Sequence, residues 1–413
     1  MRNGIVVVVE GVNTGLVGAY GTNTAVTPAL DRLAAHGLVL DQCYVDSLHL
    51  RKQLHSLWTG RHASQAACSQ WTMWQQLVTS GYEACLITDC PVTAKVAEQL
   101  GCPRVTLVEV EEPTEPALDW TECALVHVFV AAVEELSETE SDRVVWIHSR
   151  GLRLAWDAPI ELRERFTDPE DPDPPSEACV PMFVVTNETD PDEVIGWGQV
   201  AAAQVAVVDQ AIDILISTIE ARADANEWSW MVVSPGGVPL GEHGRVGWGN
   251  PDLHGEEISC LGIIRAAECE RGSQAPGSRR AELCQLPDLL MSFLDSLQID
   301  LGRADWHWGR SMLRLGPFSA PLGWPSAFQS AYIENLAEQW MRTPAWSLTI
   351  PEAKPPQLFV KPDDRWEVSD VASRRIDIVE RLRELASKFQ ECLNTGQREH
   401  LPKLEDELCN LLR

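Results

Sequence analysis

The chain has 413 residues, of which 45% are hydrophobic, so it can bury a sizeable core and is not disordered as a whole. Against 33 Lys and Arg stand 61 Asp and Glu, which leaves a formal net charge of −28 at pH 7. A surface this acidic repels phosphate backbones and anionic lipids, and we therefore expect neither nucleic acid nor a membrane as a partner.

The location of the protein is predicted from two features. The N-terminal apolar run at 5–9 is shorter than the roughly 7–15 residues of a signal-peptide core, and no run approaches the roughly 20 apolar residues of a membrane span. The 12 Cys form no CxxC pair, and several lie inside apolar stretches, as buried core cysteines do. Both features predict a cytoplasmic protein.

Strand and helix patterns alternate through the first three quarters of the chain. The predicted strands are 5–9, 38–44, 83–88, 143–148, 228–233 and 261–265. The predicted helices are 27–37, 54–58, 67–79, 124–136, 201–223 and 286–297. Such alternation favours an α/β fold with a mostly parallel sheet sandwiched by helices.

The pattern changes after about residue 320. Short strands are predicted at 345–350 and 357–361, separated by a Pro-Pro turn, and charged amphipathic helices at 371–393 and 401–412. We therefore divide the chain into an α/β domain, 1–320, and a smaller C-terminal α+β subdomain, 321–413.

Several segments resemble the sulfatases of the alkaline phosphatase superfamily in amino-acid sequence, order and spacing. They are EGVNTGLVGAYG at 10–21, TPALDRLAAHG at 27–37, WTGR at 58–61, the helix with Asp209, LGEHG at 240–244, the EE pair at 256–257 before LGIIR, and LPDLLMSFLDSL at 286–297. The resemblance covers nearly the whole chain. It implies an alkaline phosphatase/sulfatase-like α/β fold, in agreement with the pattern of strands and helices.

The resemblance also implies where the catalytic nucleophile would lie. Sulfatases hydrolyse sulfate esters with a formylglycine made from the Cys or Ser of a C/S-x-P-x-R motif. Aligned on 59–61, that motif falls on 50–54, so the nucleophile position is Leu50, followed by Arg51, with Lys52 and Leu54 at the Pro and Arg positions. Leu50 has no oxygen or sulfur to oxidise, and the sequence therefore predicts no catalytic residue here.

The metal-ligand positions implied by the resemblance are degenerate as well. The paired Asp ligands after the first strand fall on Glu10 and Gly11, and the later Asp and His or Asn ligands on Pro235 and Gly236. Calcium takes 6–8 oxygen ligands, and one carboxylate side chain remains. We predict that the calcium expected of the family is absent and that no other cofactor replaces it.

Glu10 and two histidines are candidates for other chemistry, as ligands or as a general base. Glu10 follows a buried strand, at the end of the sheet where α/β folds bind ligands. We expect its carboxylate to accept hydrogen bonds from backbone N–H groups; a weak ligand or a general base are the alternatives. His148 and His243 could meet Glu10 at a transition-metal site, although their spacing does not require it and a structural role is the simpler interpretation.

Three functions are compatible with these observations. The preferred one is a pseudoenzyme, a sulfatase-like protein without sulfuric ester hydrolase activity that acts as a scaffold or binds a protein partner. The second is a module that binds a sulfate or phosphate ester through Arg51, Lys52, Arg153 and His243. The third is a hydrolase with a rebuilt site on the same fold.

Overall fold

The structure is a computed structural model and describes residues 2–65, 71–137, 142–249, 253–267, 276–299, 301, 307–314, 330–335 and 338–410. The strands in this part of the chain are β1 Asn3–Val9, β2 Leu38–Leu40, β3 Cys43–Tyr44, β4 Glu83–Thr88, β5 Val105–Leu107, β6 Arg143–Ser149, β7 Met182–Val184, β8 Trp228–Ser234, β9 Arg245–Gly247, β10 Leu261–Arg265, β11 Ser278–Arg280, β12 Cys284–Gln285, β13 Ala331–Asn335, β14 Glu338–Arg342, β15 Trp346–Pro351 and β16 Gln357–Val360. The helices are α1 Pro28–His36, α2 Leu50–Thr59, α3 Met73–Thr79, α4 Pro91–Gln99, α5 Val126–Ser137, α6 Ile160–Glu164, α7 Pro191–Glu220, α8 Gly255–Ile258, α9 Leu286–Ser296, α10 Ile376–Thr395 and α11 Asp406–Cys409.

A mixed, mostly parallel sheet of eight strands forms the centre, in the order β11-β2-β10-β8-β1-β6-β4-β5. Only β10 runs against its neighbours in this sheet. Side chains of β1 alternate between two apolar clusters: Ile5, Val7 and Val9 belong to one, and Val6 and Val8 to the other. This alternation explains the continuous apolar run of β1, because both faces of a central parallel strand are buried under helices. The predicted α/β class is therefore confirmed.

The two apolar clusters contain different helices. The first includes side chains of α1, α5 and α7, and the second side chains of α2, α3, α4 and α9. Among the described helices, α7 is long and apolar enough to cross a membrane by length and composition, but 78% of its apolar window is buried inside the protein. Such burial is typical of a core helix.

The C-terminal part forms a small antiparallel sheet of β13, β14, β15 and β16, as the α+β prediction requires. Helix α10 packs on it through an apolar cluster of its own, which includes Leu382 and Phe389 of α10 and Tyr332 of β13. The predicted boundary at 320/321 lies outside the described residues.

Several predicted boundaries are wrong. Helix α2 begins at Leu50 rather than 54, so 50–53 is helix and not loop; its exposed polar face obscures the apolar pattern. Helix α7 begins at Pro191 rather than 201, after Asp190, whose carboxylate caps it. A helix was predicted at 67–79, and the described part of this range is helical only over Met73–Thr79. A helix was also predicted at 401–412, and the described part is helical only over Asp406–Cys409. The remainders at 67–70 and 411–412 lie outside the described residues. Helix α4 and strands β13 and β14 were not predicted.

Candidate functional site

Glu10 lies directly after β1, at the carboxyl end of the central sheet. The parallel register of β1 and β6 pairs Val8 with His148, which brings His148 beside Glu10. Glu10 Oε1 and His148 Nε2 are 2.9 Å apart, and the two side chains are 1% and 0% exposed. The backbone N–H partners expected for Glu10 are thus replaced by a buried side-chain partner.

Arg153 supplies a second partner for Glu10. A short 3-10 turn, Gly151–Arg153, follows β6 and brings the Arg153 Nε within 2.6 Å of Glu10 Oε2. This contact has the distance of an ion pair without the alignment of a hydrogen bond. The guanidinium lies 4.2 Å from the centre of the Trp248 ring, and the Trp248 indole N–H donates to the Leu152 carbonyl. One buried carboxylate is therefore held between a histidine and an arginine that an indole supports.

The neighbouring positions have no space for a ligand side chain. A Cβ on Gly11 would lie 2.9 Å from Trp248 Cζ2 and 3.1 Å from Leu152 Cβ, and a Cβ on Gly236 would lie 2.4 Å from the Glu257 carbonyl oxygen. Both glycines have positive φ, +86° and +85°, which side chains larger than hydrogen adopt at a cost. Pro235 precedes Gly236 in the same turn and offers no carboxylate.

Calcium does not fit these residues. The ion requires 6–8 oxygens, whereas the one carboxylate at the four predicted ligand positions is already paired with His148 and Arg153. Gly11 and Gly236 cannot gain side chains without displacing Trp248 or the backbone at Glu257.

The position predicted for a nucleophile lies at the start of α2. Leu50 is the first residue of that helix and is half-buried, Leu54 is buried in the core, and Arg51 and Lys52 are exposed. Close by, the buried Asp46 carboxylate accepts hydrogen bonds from Ser56 Oγ at 2.6 Å and from the Ala63 N–H at 2.8 Å. These bonds join the segment before α2 to Ser56 within the helix and to the turn after it, and the sequence pattern gave no sign of them.

Asp46 is expected to make stability depend on pH. Burial raises the pKa of its carboxyl to about 7, above the usual value of about 4, so between these values the folded protein binds a proton that the unfolded chain has released. Stability is therefore lost as the pH rises through this range. We expect the melting temperature to fall from pH 5 to pH 8 and to fall less in Asp46→Asn. Burial also raises the pKa of Asp209, to about 6, so part of the slope remains; an unchanged slope in the variant would contradict this role of Asp46.

The four predicted anion-binding residues lie in different surroundings. Arg153 is paired with Glu10, and His243 Nδ1 lies 2.8 Å from Glu256 Oε1. Arg51 and Lys52 lie on the exposed face of α2. The structure brings Glu10 and His148 together, as one alternative proposed, but His243 belongs to another cluster, with Glu256 and His254.

A cleft of about 530 Å³ lies between the central sheet and the C-terminal sheet. Aromatic rings and cationic groups form much of its wall: Tyr20, Tyr44, Trp340, Trp366, Arg279, Arg342, Lys361 and Arg365. None of these residues was singled out from the sequence. They come from distant segments, and a motif search has no local pattern by which to join them.

Comparison with solved structures identifies the fold of this chain. A phosphonate monoester hydrolase of Agrobacterium radiobacter superposes with a TM-score of 0.73 at 13% identity, covering 96% of both chains. A protein in complex with its substrate D-glucosamine-2-N,6-O-disulfate superposes with a TM-score of 0.71 at 15% identity, over 97% of this chain and 100% of that one. A 2-O GAG sulfatase superposes with a TM-score of 0.70 at 14% identity, over 99% of this chain and 96% of that one. The chain has the sulfatase fold. No family model matches the sequence, and no curated protein matches it significantly.

Within the sulfatase fold, Asp209 of α7 has a structural role. Its two carboxylate oxygens accept from the N–H groups of Ala29 and Leu30, at 3.0 and 2.8 Å, and so cap the first turn of α1 from another helix. Thr27, at the predicted N-cap position, instead accepts from the Gly18 N–H. The resemblance identified Asp209, and the structure shows what its carboxylate binds.

Proposed function

We propose that this protein keeps the sulfatase fold without sulfuric ester hydrolase activity and acts as a scaffold or binding protein. One observation carries the proposal: the Glu10 carboxylate, the single acidic side chain left at the former metal-ligand positions, is buried between His148 and Arg153. A carboxylate neutralised in this way does not need an ion. The protein is proposed to function without calcium, in the cytoplasm, and to bind a protein partner.

Sulfuryl transfer requires groups that the site does not supply. Charge builds up on the transferred group and on the leaving oxygen, and metal ions or preorganised donors must neutralise it. Loss of a single such donor costs about 10²–10³ in rate, and groups that act as a unit fail together. Here Leu50 occupies the nucleophile position, and Arg153 is engaged by Glu10.

Turnover of aryl sulfate, aryl phosphate and aryl phosphonate by the purified protein tests the proposal. The phosphonate is included because one structural neighbour is a phosphonate monoester hydrolase. We expect no turnover above a buffer control, with or without calcium, magnesium, manganese or zinc. A rebuilt hydrolase would instead show metal-dependent turnover that a folded Glu10→Gln variant lacks, and that result would overturn the proposal.

A second candidate function is the binding of an anionic ligand, and the cleft favours it. Arg279 is paired with Asp41, and Lys361 with Glu367, but the Arg342 guanidinium contacts only neutral acceptors among the described residues. The exposed Arg365 has no carboxylate partner there either and stacks on Trp366. Both cationic groups line the cleft, where an anionic ligand would meet them.

The melting temperature in the presence of sulfate, phosphate or D-glucosamine-2-N,6-O-disulfate tests this second function. A structural neighbour was solved with that disulfate as its substrate. A ligand that binds only the folded state raises the melting temperature by mass action. We expect Arg365→Gln to reduce the shift and the exposed Arg374→Gln to leave it unchanged. A shift lost instead in Lys52→Ala would place the anion at α2, and no shift at millimolar ligand would exclude this function.

A further inference from the structure

Three potential metal ligands converge away from Glu10. His243 lies in the turn before β9, His254 immediately before α8, and Glu367 in the segment after β16. One ligand atom from each residue lies within 4.8 Å of the other two. The cluster therefore joins two loops of the α/β domain to the C-terminal subdomain.

The surroundings orient two of these ligands. His243 Nδ1 faces Glu256 Oε1 at 2.8 Å, which is the outer carboxylate that metal-binding histidines usually have on their second nitrogen. Glu367 Oε1 accepts from Ser347 Oγ at 2.9 Å, and Oε2 accepts from the Gly255 N–H at 3.1 Å. Lys361 Nζ, 3.2 Å from Oε1, contributes a competing positive charge.

His254 has an unsatisfied nitrogen within the cluster. Its Nδ1 is buried and has no hydrogen-bond partner among the described residues. Glu367 Oε2, at 3.6 Å, is beyond hydrogen-bond reach. A buried polar atom without a hydrogen-bond partner costs free energy. The unpaired Nδ1 faces the Glu367 carboxylate, and an ion bound between them would give it a partner.

The backbone and ring arrangement of His243 also require an explanation. His243 has φ of +48°, a conformation in which non-glycine residues are uncommon outside special sites. Its ring stacks on that of His254, with centroids 3.7 Å apart and planes at 6°. The left-handed backbone thus places the imidazole against its neighbour, with Nε2 3.3 Å from the Glu367 carbonyl oxygen, a contact that a bound ion would replace.

We propose that His243, His254 and Glu367 bind a divalent transition-metal ion, with zinc the best match. Two imidazole nitrogens and one carboxylate oxygen form a ligand set that zinc commonly uses, with water in the fourth position. Zinc ligands at about 2.0–2.2 Å lie roughly 3.4 Å apart in a tetrahedron, so the cluster must contract slightly. Two parallel stacked rings cannot both direct a lone pair at one ion, and binding therefore turns one of them.

The ion would fasten Glu367 of the C-terminal subdomain to the α/β domain. The site shares no residue with Glu10, His148 or Arg153, so its failure would leave the proposed function unaffected. This site departs from the prediction that the protein holds no cofactor.

Titration of the metal-free full-length protein with zinc, followed by calorimetry, tests the proposal. We expect one equivalent to bind and to raise the melting temperature. His254→Gln and His243→Gln should each weaken binding by about tenfold or more, and the exposed His127→Gln should not. Two histidine variants are used because removal of Glu367 would leave Lys361 without its partner.

Cobalt in place of zinc distinguishes this cluster from the cysteines. Nitrogen and oxygen ligands give weak visible bands, whereas thiolate ligands add an intense near-ultraviolet charge-transfer band. Visible bands without that charge-transfer band, lost in His254→Gln, would support the proposal. Absence of stoichiometric binding, a thiolate band, or equal affinity in the wild type and both histidine variants would overturn it.

Discussion

Replacing Arg398 by methionine is expected to lower the free energy of unfolding by about 3 kcal/mol. Arg398 follows α10, and its guanidinium pairs with the Asp288 carboxylate of α9 through two nitrogens; the side chains are 3% and 0% exposed. Removal of one partner leaves the other charge buried without compensation. The N–H groups of Gln285 and Arg310 still donate to Asp288, which places the effect at the lower end of the usual range for such pairs.

Chemical denaturation of the wild type and of two variants measures this effect. The matched control is Arg381→Met, since Arg381 pairs with Glu405 and Glu407 on the exposed surface of the same subdomain. Exposed pairs contribute about 0–1 kcal/mol. Equal losses in the two variants would mean that the buried pair has no special role in joining α9 to the C-terminal subdomain.

Arg153→Met is the second variant with a large expected effect, a loss of about 2–3 kcal/mol in the free energy of unfolding. The substitution leaves Glu10, which is 1% exposed, with only His148 as its partner. Arg153 itself is 33% exposed, so solvent weakens the pair and the expected loss is smaller than for a fully buried one. Thermal or urea denaturation at neutral pH gives the value.

Two controls assign the effect to the buried charge. Glu10→Gln combined with Arg153→Met removes both charges and should recover more than half of the loss, because neutral replacement of a buried pair is often tolerated. Millimolar calcium should not rescue Arg153→Met, since the neighbouring positions offer no ligands. Rescue by calcium would show that the site still binds the ion and would contradict the misfit described above.

Local patterns predicted those elements whose signals are complete within a few residues. The apolar run at 5–9 predicted β1, and 83–88 and 261–265 coincide with β4 and β10. The start of α2 was missed because Arg51, Lys52 and His55 form its exposed face and leave few apolar positions. Strands β13 and β14 were missed because Glu334, Glu338 and Gln339 interrupt their apolar alternation.

The sequence predicted the position of Glu10 and raised its contact with His148 as an alternative, but it did not predict the contact with Arg153. Glu10 lies at the carboxyl end of the sheet, as expected for the residue that follows β1, and β6 brings His148 to it. Arg153 and Trp248 complete the arrangement from loops that lie 95 residues apart in the sequence. Their meeting depends on the order of the strands, which no local pattern contains.

The sequence by itself determined the α/β class, the strongly acidic charge, and which residue types stand at 10–11, 50–54 and 235–236. These properties depend on residue identity and on short-range periodicity, and both can be read along the chain. Only the tertiary structure decided that Glu10 is paired with both His148 and Arg153, that Asp209 caps α1, and that His243 meets His254 and Glu367. Each of these contacts joins residues from separate segments, and the packing of the sheet and its loops decides which side chains share a buried space.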